Sequence, residues 1–140
     1  MKLEEIDIEF LVPQRSPFIM VDKLIEYKND FARTSLLVTP ENILVQDGLF
    51  SEEGMVENMA QTAATFLGYE SYLKGLDAPV GFIAAIKHLK VTQSIAQNAQ
   101  IYTSIKFSNT ILNINIVDAM IEQDGKVVAE AELRIYIDKK

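Results

Sequence analysis

A carboxylate and an amide one helical turn apart, Glu57 and Gln61, are the residues of this chain best suited to chemistry. Glu57 opens a stretch, residues 58–68, in which no side chain carries a charge. If that stretch is a helix enclosed by the rest of the fold, its leading carboxylate is partly desolvated. Desolvation raises a carboxyl pKa and makes the group a better proton donor near neutral pH. Gln61, at i+4, shares the face of Glu57 and can hold it by a hydrogen bond. The other reading is a solvated carboxylate near a helix start, stabilised by the helix dipole. Spacing alone leaves both standing.

Few other residues compete for a catalytic role. The single histidine, His88, sits between Lys87 and Leu89 after the helix, where a lone strand histidine is more often structural or exposed. Asp47 and Tyr69 are polar residues near the helix with less to recommend them. Cysteine is absent, which excludes a thiol nucleophile, a disulfide framework and a thiolate zinc site. One histidine argues against a histidine-rich metal centre, and no metal or cofactor is expected.

The element that must position Glu57 reads as a helix over residues 51–73. Ser51 is a fitting N-cap, and Glu52 and Glu53 fall in the first turn, where the dipole favours negative charge. Gly54 weakens the start and Lys74-Gly75 ends the helix. A helix without charge on any face is normally enclosed. Ala60, Ala63, Ala64 and Gly68 keep it thin, which allows a sheet to approach closely or leaves room for a ligand chain.

Around it the pattern is that of strands. Residues 18–27 and 32–39 read as a hairpin divided by Lys28-Asn29-Asp30, and 40–48 as a loop. After the helix come an apolar run at 80–92 and strands at 100–108, 111–122 and 126–138, the last two joined by Gln123-Asp124-Gly125. Leu112, Ile114 and Ile116 share one parity, with Asn113 and Asn115 on the other. Val127, Ala129, Ala131, Leu133, Ile135 and Ile137 likewise alternate with a mostly polar set, the pattern of a strand with one buried face. Two strands, one long helix and about four strands make an α+β chain, expected to form a single domain over 1–140.

Composition narrows the function. With 49% hydrophobic and 24% charged residues the chain is that of an ordinary globular protein. No run approaches the ~20 apolar residues of a membrane span, and the first ten residues do not look like a signal peptide, so a cytoplasmic location is expected. A net charge of -7 argues against nucleic acid and fits awkwardly with an acidic partner such as acyl carrier protein. Lys87, Lys90 and Arg33 are either a local basic patch or scattered solvated charges.

Three segments carry a resemblance. Leu11-Val12-Pro13-Gln14-Arg15-Ser16-Pro17-Phe18-Ile19-Met20-Val21-Asp22-Lys23 resembles the opening of the β-hydroxyacyl-acyl carrier protein dehydratases, a Leu-Pro-His/Gln-Arg-x-Pro-Phe segment leading to Val-Asp-Arg. Glu57-Asn58-Met59-Ala60-Gln61 is similar to that family's Glu-Ala-Met-Ala-Gln on the central helix, and Ala85-Ile86 to its Gly-Ile. The resemblance implies a hotdog fold, a long central helix wrapped by an antiparallel sheet. It also implies an acyl tunnel beside the helix and a dimer whose sheets join edge to edge, with residues 80–91 near the dimer axis. It places the acid at Glu57 and makes Gln61, Ala60 and Ala64 candidates for touching substrate. In that family the acid works with a histidine from the partner subunit, and a backbone N–H near the helix start polarises the thioester carbonyl.

The chain departs from the pattern at the base. The family's histidine precedes the helix, and its spacing back from Glu57 lands near Ile43, in a loop without histidine. The family's helix-start glycine falls at Glu52, with Gly54 the nearest glycine. Three functions follow from the resemblance. The first is a dehydratase-like protein for 3-hydroxyacyl thioesters on acyl carrier protein or coenzyme A, as a homodimer or as a mixed dimer with a histidine-bearing paralogue. The second is a hotdog thioesterase using one helix carboxylate, and the third a non-catalytic acyl-binding subunit.

Overall fold

Helix α1 (Glu52–Leu73) begins where its cap dictates. The Ser51 hydroxyl accepts the Gly54 N–H at 3.1 Å, and Glu52 and Glu53 occupy the first turn. It ends as the chain turns through Lys74 into Gly75 at φ +70°. The computed structural model describes residues 2–138. Around α1 the strands β1 (Lys23–Lys28), β2 (Phe31–Leu37), β5 (Val80–Val91), β7 (Gln100–Ile111), β8 (Ile114–Gln123) and β9 (Lys126–Asp138) form one antiparallel sheet in the order β1-β2-β7-β8-β9-β5. Met55, Met59, Ala63 and Phe66 of the helix join Leu24, Ala32, Leu36, Ile105, Val117, Ile121 and Leu133 of the sheet in one core. No described helix is long and apolar enough to cross a membrane.

The helix is enclosed, as its lack of charge requires, but its inner face is half polar. Asn58, Gln61, Thr62 and Thr65 are all buried. Asn58 donates to the Met20 carbonyl at 2.7 Å and accepts from the Thr103 hydroxyl, while the hydroxyls of Thr62 and Thr34 lie 2.8 Å apart. Each bond adds little net stability when made, but a buried group left without its partner costs about 1–3 kcal/mol. The seam therefore fixes how the helix seats on β2 and β7. Gly68 fixes the other side: a Cβ there would lie 1.7 Å from the Leu11 carbonyl oxygen, so the 11–14 segment crosses the helix where only glycine fits.

Three parts of the strand reading need correction. Residues 18–22 are not strand; they run beside α1, held by Asn58 and Gln61, and β1 starts at Lys23. The 40–48 loop leads into a small hairpin, β3 (Val45–Gln46) and β4 (Leu49–Phe50), turned by Asp47 and Gly48 with positive φ and continued by β6 (Ile95–Ala96). In β8 the inward parity is Val117, Ala119 and Ile121, not that of Leu112, Ile114 and Ile116. Leu112 is in the β7–β8 turn, at φ +57° and 92% exposed, and this end of the hairpin runs beyond the core. In β9 the expected inward set holds from Ala129 to Ile137, while Val127 is exposed.

Strand β5 ends the sheet and pairs on one side only, with β9. It is nevertheless apolar, with Phe82 55% and Ile86 43% exposed. Its pairing breaks between Lys87 and Lys90, where His88 takes φ +57° in a bulge.

Candidate active site

Glu57 is half-buried in the second turn of α1, and its position is set by Gln61. Gln61 Nε2 donates to Glu57 Oε2 at 2.7 Å and to the Phe18 carbonyl at 2.9 Å, while its Oε1 accepts the Met20 N–H at 2.6 Å. One amide thus ties the carboxylate to the 18–20 segment. The bond occupies one carboxylate oxygen and leaves the other for a ligand. Gln61 was expected among the residues touching substrate. It is 1% exposed, lines neither cavity at the site, and has both amide protons engaged by the Phe18 carbonyl and Glu57.

Two cavities meet at Glu57. The outer one, about 700 Å³, lies over the start of α1 and is walled by Phe18, Ile43, Leu44, Val56, Ile86 and Leu89, with Glu52 and Glu53 at its side. The inner one, about 280 Å³, runs along the helix past Ala60, Ala64 and Leu67, under Phe82 and Ile83 of β5 and against Ile135 and Ile137 of β9. Ala60 and Ala64 are therefore placed on the wall of an apolar channel. Their small side chains leave space that larger residues would fill. An apolar recess with a carboxylate at its entrance suits a ligand with a reactive head and a hydrocarbon tail.

The outer cavity has no histidine on its wall. Its titratable side chains are Glu52, Glu53 and Glu57, and Ile43, where family spacing would put a histidine, forms part of its wall. His88 does not substitute. In a regular strand residues 86 and 88 would share a face, but the bulge puts Ile86 and Leu89 on the cavity and leaves His88 exposed away from it. Gly54 is not a free backbone donor either. Its N–H is engaged by the Ser51 hydroxyl, and the Phe50 ring packs where its Cβ would be.

The other polar candidates lie outside both cavities. Lys87 and Lys90 face Glu132 and Glu130 across β5 and β9, and Arg33 pairs with Glu122 at 3.2 Å and lies over the Tyr102 ring. No basic patch forms from these three. Asp47 belongs to the β3–β4 turn. Tyr69 packs edge-on against Tyr27, with ring centroids 4.7 Å apart, in an aromatic group at the far end of the helix. Burial, and then the neighbouring Glu70 carboxylate, push the Tyr27 hydroxyl above its ordinary pKa. Sequence reasoning missed Gln14, which lines the inner cavity beside Glu57; its place within the dehydratase-like motif was the available signal.

A sequence profile for the ApeP-like family, described as ApeP dehydratase, matches residues 6–140. The chain belongs to the ApeP-like dehydratase family. The 3-hydroxyacyl-acyl-carrier-protein dehydratase FabZ of Clostridium botulinum (strain Loch Maree / Type A3) is 27% identical over 139 residues, covering 95% of this chain and 94% of its own. Among solved structures, the dehydratase heterocomplex ApeI:P from Xenorhabdus doucetiae superposes with a TM-score of 0.86 at 15% identity, over 96% of this chain and 93% of the other. A sigma28-regulated virulence protein, Cj0977 from Campylobacter jejuni, superposes at 0.71 with 11% identity, over 94% and 85%. At such identities the superpositions establish the hotdog fold. The ApeP-like chain is thus a dehydratase-like hotdog protein.

Proposed function

We propose that this ApeP-like protein binds 3-hydroxyacyl thioesters and supplies Glu57 as the acid for their dehydration, in a dimer whose other subunit supplies the base. The observation that carries this reading is the placement of Glu57, gripped by Gln61, at the junction of a mouth and an apolar channel. The acyl tail would lie along Ala60 and Ala64, with its third carbon at Glu57. A base removes a proton from the carbon next to the thioester carbonyl. The carbon–oxygen bond at the third carbon breaks, and Glu57 protonates the departing hydroxyl as water. The thioester itself stays intact.

The need for a second subunit rests on two features. The outer cavity has carboxylates but no histidine to pair with Glu57, and β5 presents an apolar edge that an isolated sheet would not leave bare. A relative of this fold is described as a dehydratase heterocomplex, which supports a mixed dimer with a histidine-bearing paralogue over a homodimer. The acidic mouth, with Glu52 and Glu53, points the same way: docking of an acidic carrier protein would fall to the partner.

The test is turnover of 3-hydroxyacyl thioesters by the chain alone and with its paralogue, followed by mass spectrometry. General-base catalysis contributes about 100- to 10,000-fold, so the mixed dimer should exceed the chain alone by at least about 100-fold. Equal rates would overturn the shared site. Release of free thiol would show hydrolysis instead.

A further inference from the structure

We infer that Leu67 is the length gauge of the inner channel: with Pro79 and Ile137 it closes the far end and sets the longest acyl chain that the channel rewards. The inference rests on the acyl-binding reading above and adds to it the residue that selects among acyl thioesters by length. Behind the inner cavity lies a further one of about 840 Å³, at the C-terminal end of α1. Leu67, Pro79 and Ile137 line both. These three residues are the partition between them.

The helix grades the channel. Glu57, Ala60, Ala64 and Leu67 follow one another at intervals of three or four, so they share one face of α1, and all four line the inner cavity. That face passes from a carboxylate through two alanines to a leucine. The alanines leave space for a chain beside the helix, and Leu67 is the large side chain that ends this space. Ser71 and Lys74 continue the face and line the cavity behind. The rest of the partition is held firmly. Pro79 has its φ fixed by its ring and directly precedes β5. Ile137 is buried in the core, pairs with Gly81 of β5, and is stiff at χ1. Leu67, partly buried against the core, is the member that the helix contributes.

What lies beyond the partition differs in kind. The far cavity carries Glu70, Ser71, Lys74 and Asp77, so a methylene that passed Leu67 would exchange an apolar wall for a charged one. Each methylene buried within the channel corresponds to about fourfold in affinity. That gain stops at the partition. A rise of ~1.5 Å per residue puts Leu67 about 15 Å along the helix from Glu57. A carbon zigzag with bonds of ~1.5 Å at ~111° advances about 1.25 Å per carbon, so about 12 carbons cover that span. With the third carbon at Glu57, the limit falls at about 15 carbons.

The experiment titrates saturated acyl pantetheine thioesters, from hexanoyl to octadecanoyl, into the purified protein and its variants. Wild-type affinity should climb about fourfold per carbon and level off beyond about 15 carbons. Leu67→Ala vacates space for at least two more carbons and should bind octadecanoyl about 15-fold more tightly than wild type does. Ala64→Leu brings a leucine one turn closer to the mouth and should shorten the limit by about four carbons. Leu67→Val keeps more of the packing and should move the limit the same way as Leu67→Ala by a smaller step, which decides the matter if the alanine variant does not fold. An affinity that climbs without a break to octadecanoyl, a break that stays in place in the Leu67 variants, or an equal loss at every length would overturn the gauge and leave the acyl-binding reading in place. Failure of the wild type to bind any of these thioesters would sink both.

Discussion

Replacing Gln61 with leucine separates a positioned carboxylate from one that merely sits on the helix. The wild-type amide makes three hydrogen bonds, to Met20 N–H, the Phe18 carbonyl and Glu57. In Gln61→Leu, Met20 N–H becomes an orphan donor in a buried setting, at a cost of about 1–3 kcal/mol. Loss of the bond to the half-buried carboxylate adds about 1 kcal/mol. Phe18 is exposed enough for its carbonyl to turn to water. The expected loss is about 3 kcal/mol, which for a chain of this size lowers Tm by about 10 °C. Turnover should fall further than stability explains, because the freed carboxylate no longer faces the channel in one orientation. The assay is a thermal melt and a dehydration time course on the same preparation of the mixed dimer. A variant that melts within about 2 °C of wild type, with unchanged turnover, would show that Gln61 neither clips the 18–20 segment nor orients Glu57.

Three further outcomes are expected. Glu57→Gln keeps its size and can still accept from Gln61, so it should fold and melt like wild type while dehydration is abolished; an active variant would remove Glu57 from the site. Gly68→Ala places a methyl group into the Leu11 carbonyl and should destabilise by about 3 kcal/mol or more, read by urea denaturation. A neutral result there would mean that the 11–14 segment does not cross the helix as described. The raised Tyr27 pKa means that the folded state holds that proton longer than the unfolded chain. The stability this contributes is complete below about pH 10 and is lost as pH rises through the folded value. Tyr27→Phe should therefore flatten the alkaline limb of the stability profile and leave the neutral region's pH dependence unchanged.

Much of the site was legible because it is local. The Ser51 cap, the charge-free helix and the Glu57–Gln61 pair are relations within one or two helical turns, and each is present as read. What the sequence concealed depends on partners far along the chain. Asn58 and Thr62 read as neutral helix residues until Met20, Thr103 and Thr34 arrive to satisfy them. Leu112 has the composition of a strand residue, and only the point at which the β7–β8 hairpin leaves the core makes it a turn. The bulge at His88 follows from how β5 pairs with β9, which no window of a few residues can contain. Gln14 belongs to the dehydratase-like motif, yet its place on the inner cavity beside Glu57 emerges only when the 11–14 segment crosses α1.

The bare edge of β5 has a consequence for the life of the chain before assembly. A newly made copy presents a long row of open backbone groups flanked by Phe82, Ile83 and Ile86, and such an edge is a template for whichever strand reaches it first. Whatever strand covers that edge would remove the template, so the solubility of the isolated chain should depend on what pairs with β5.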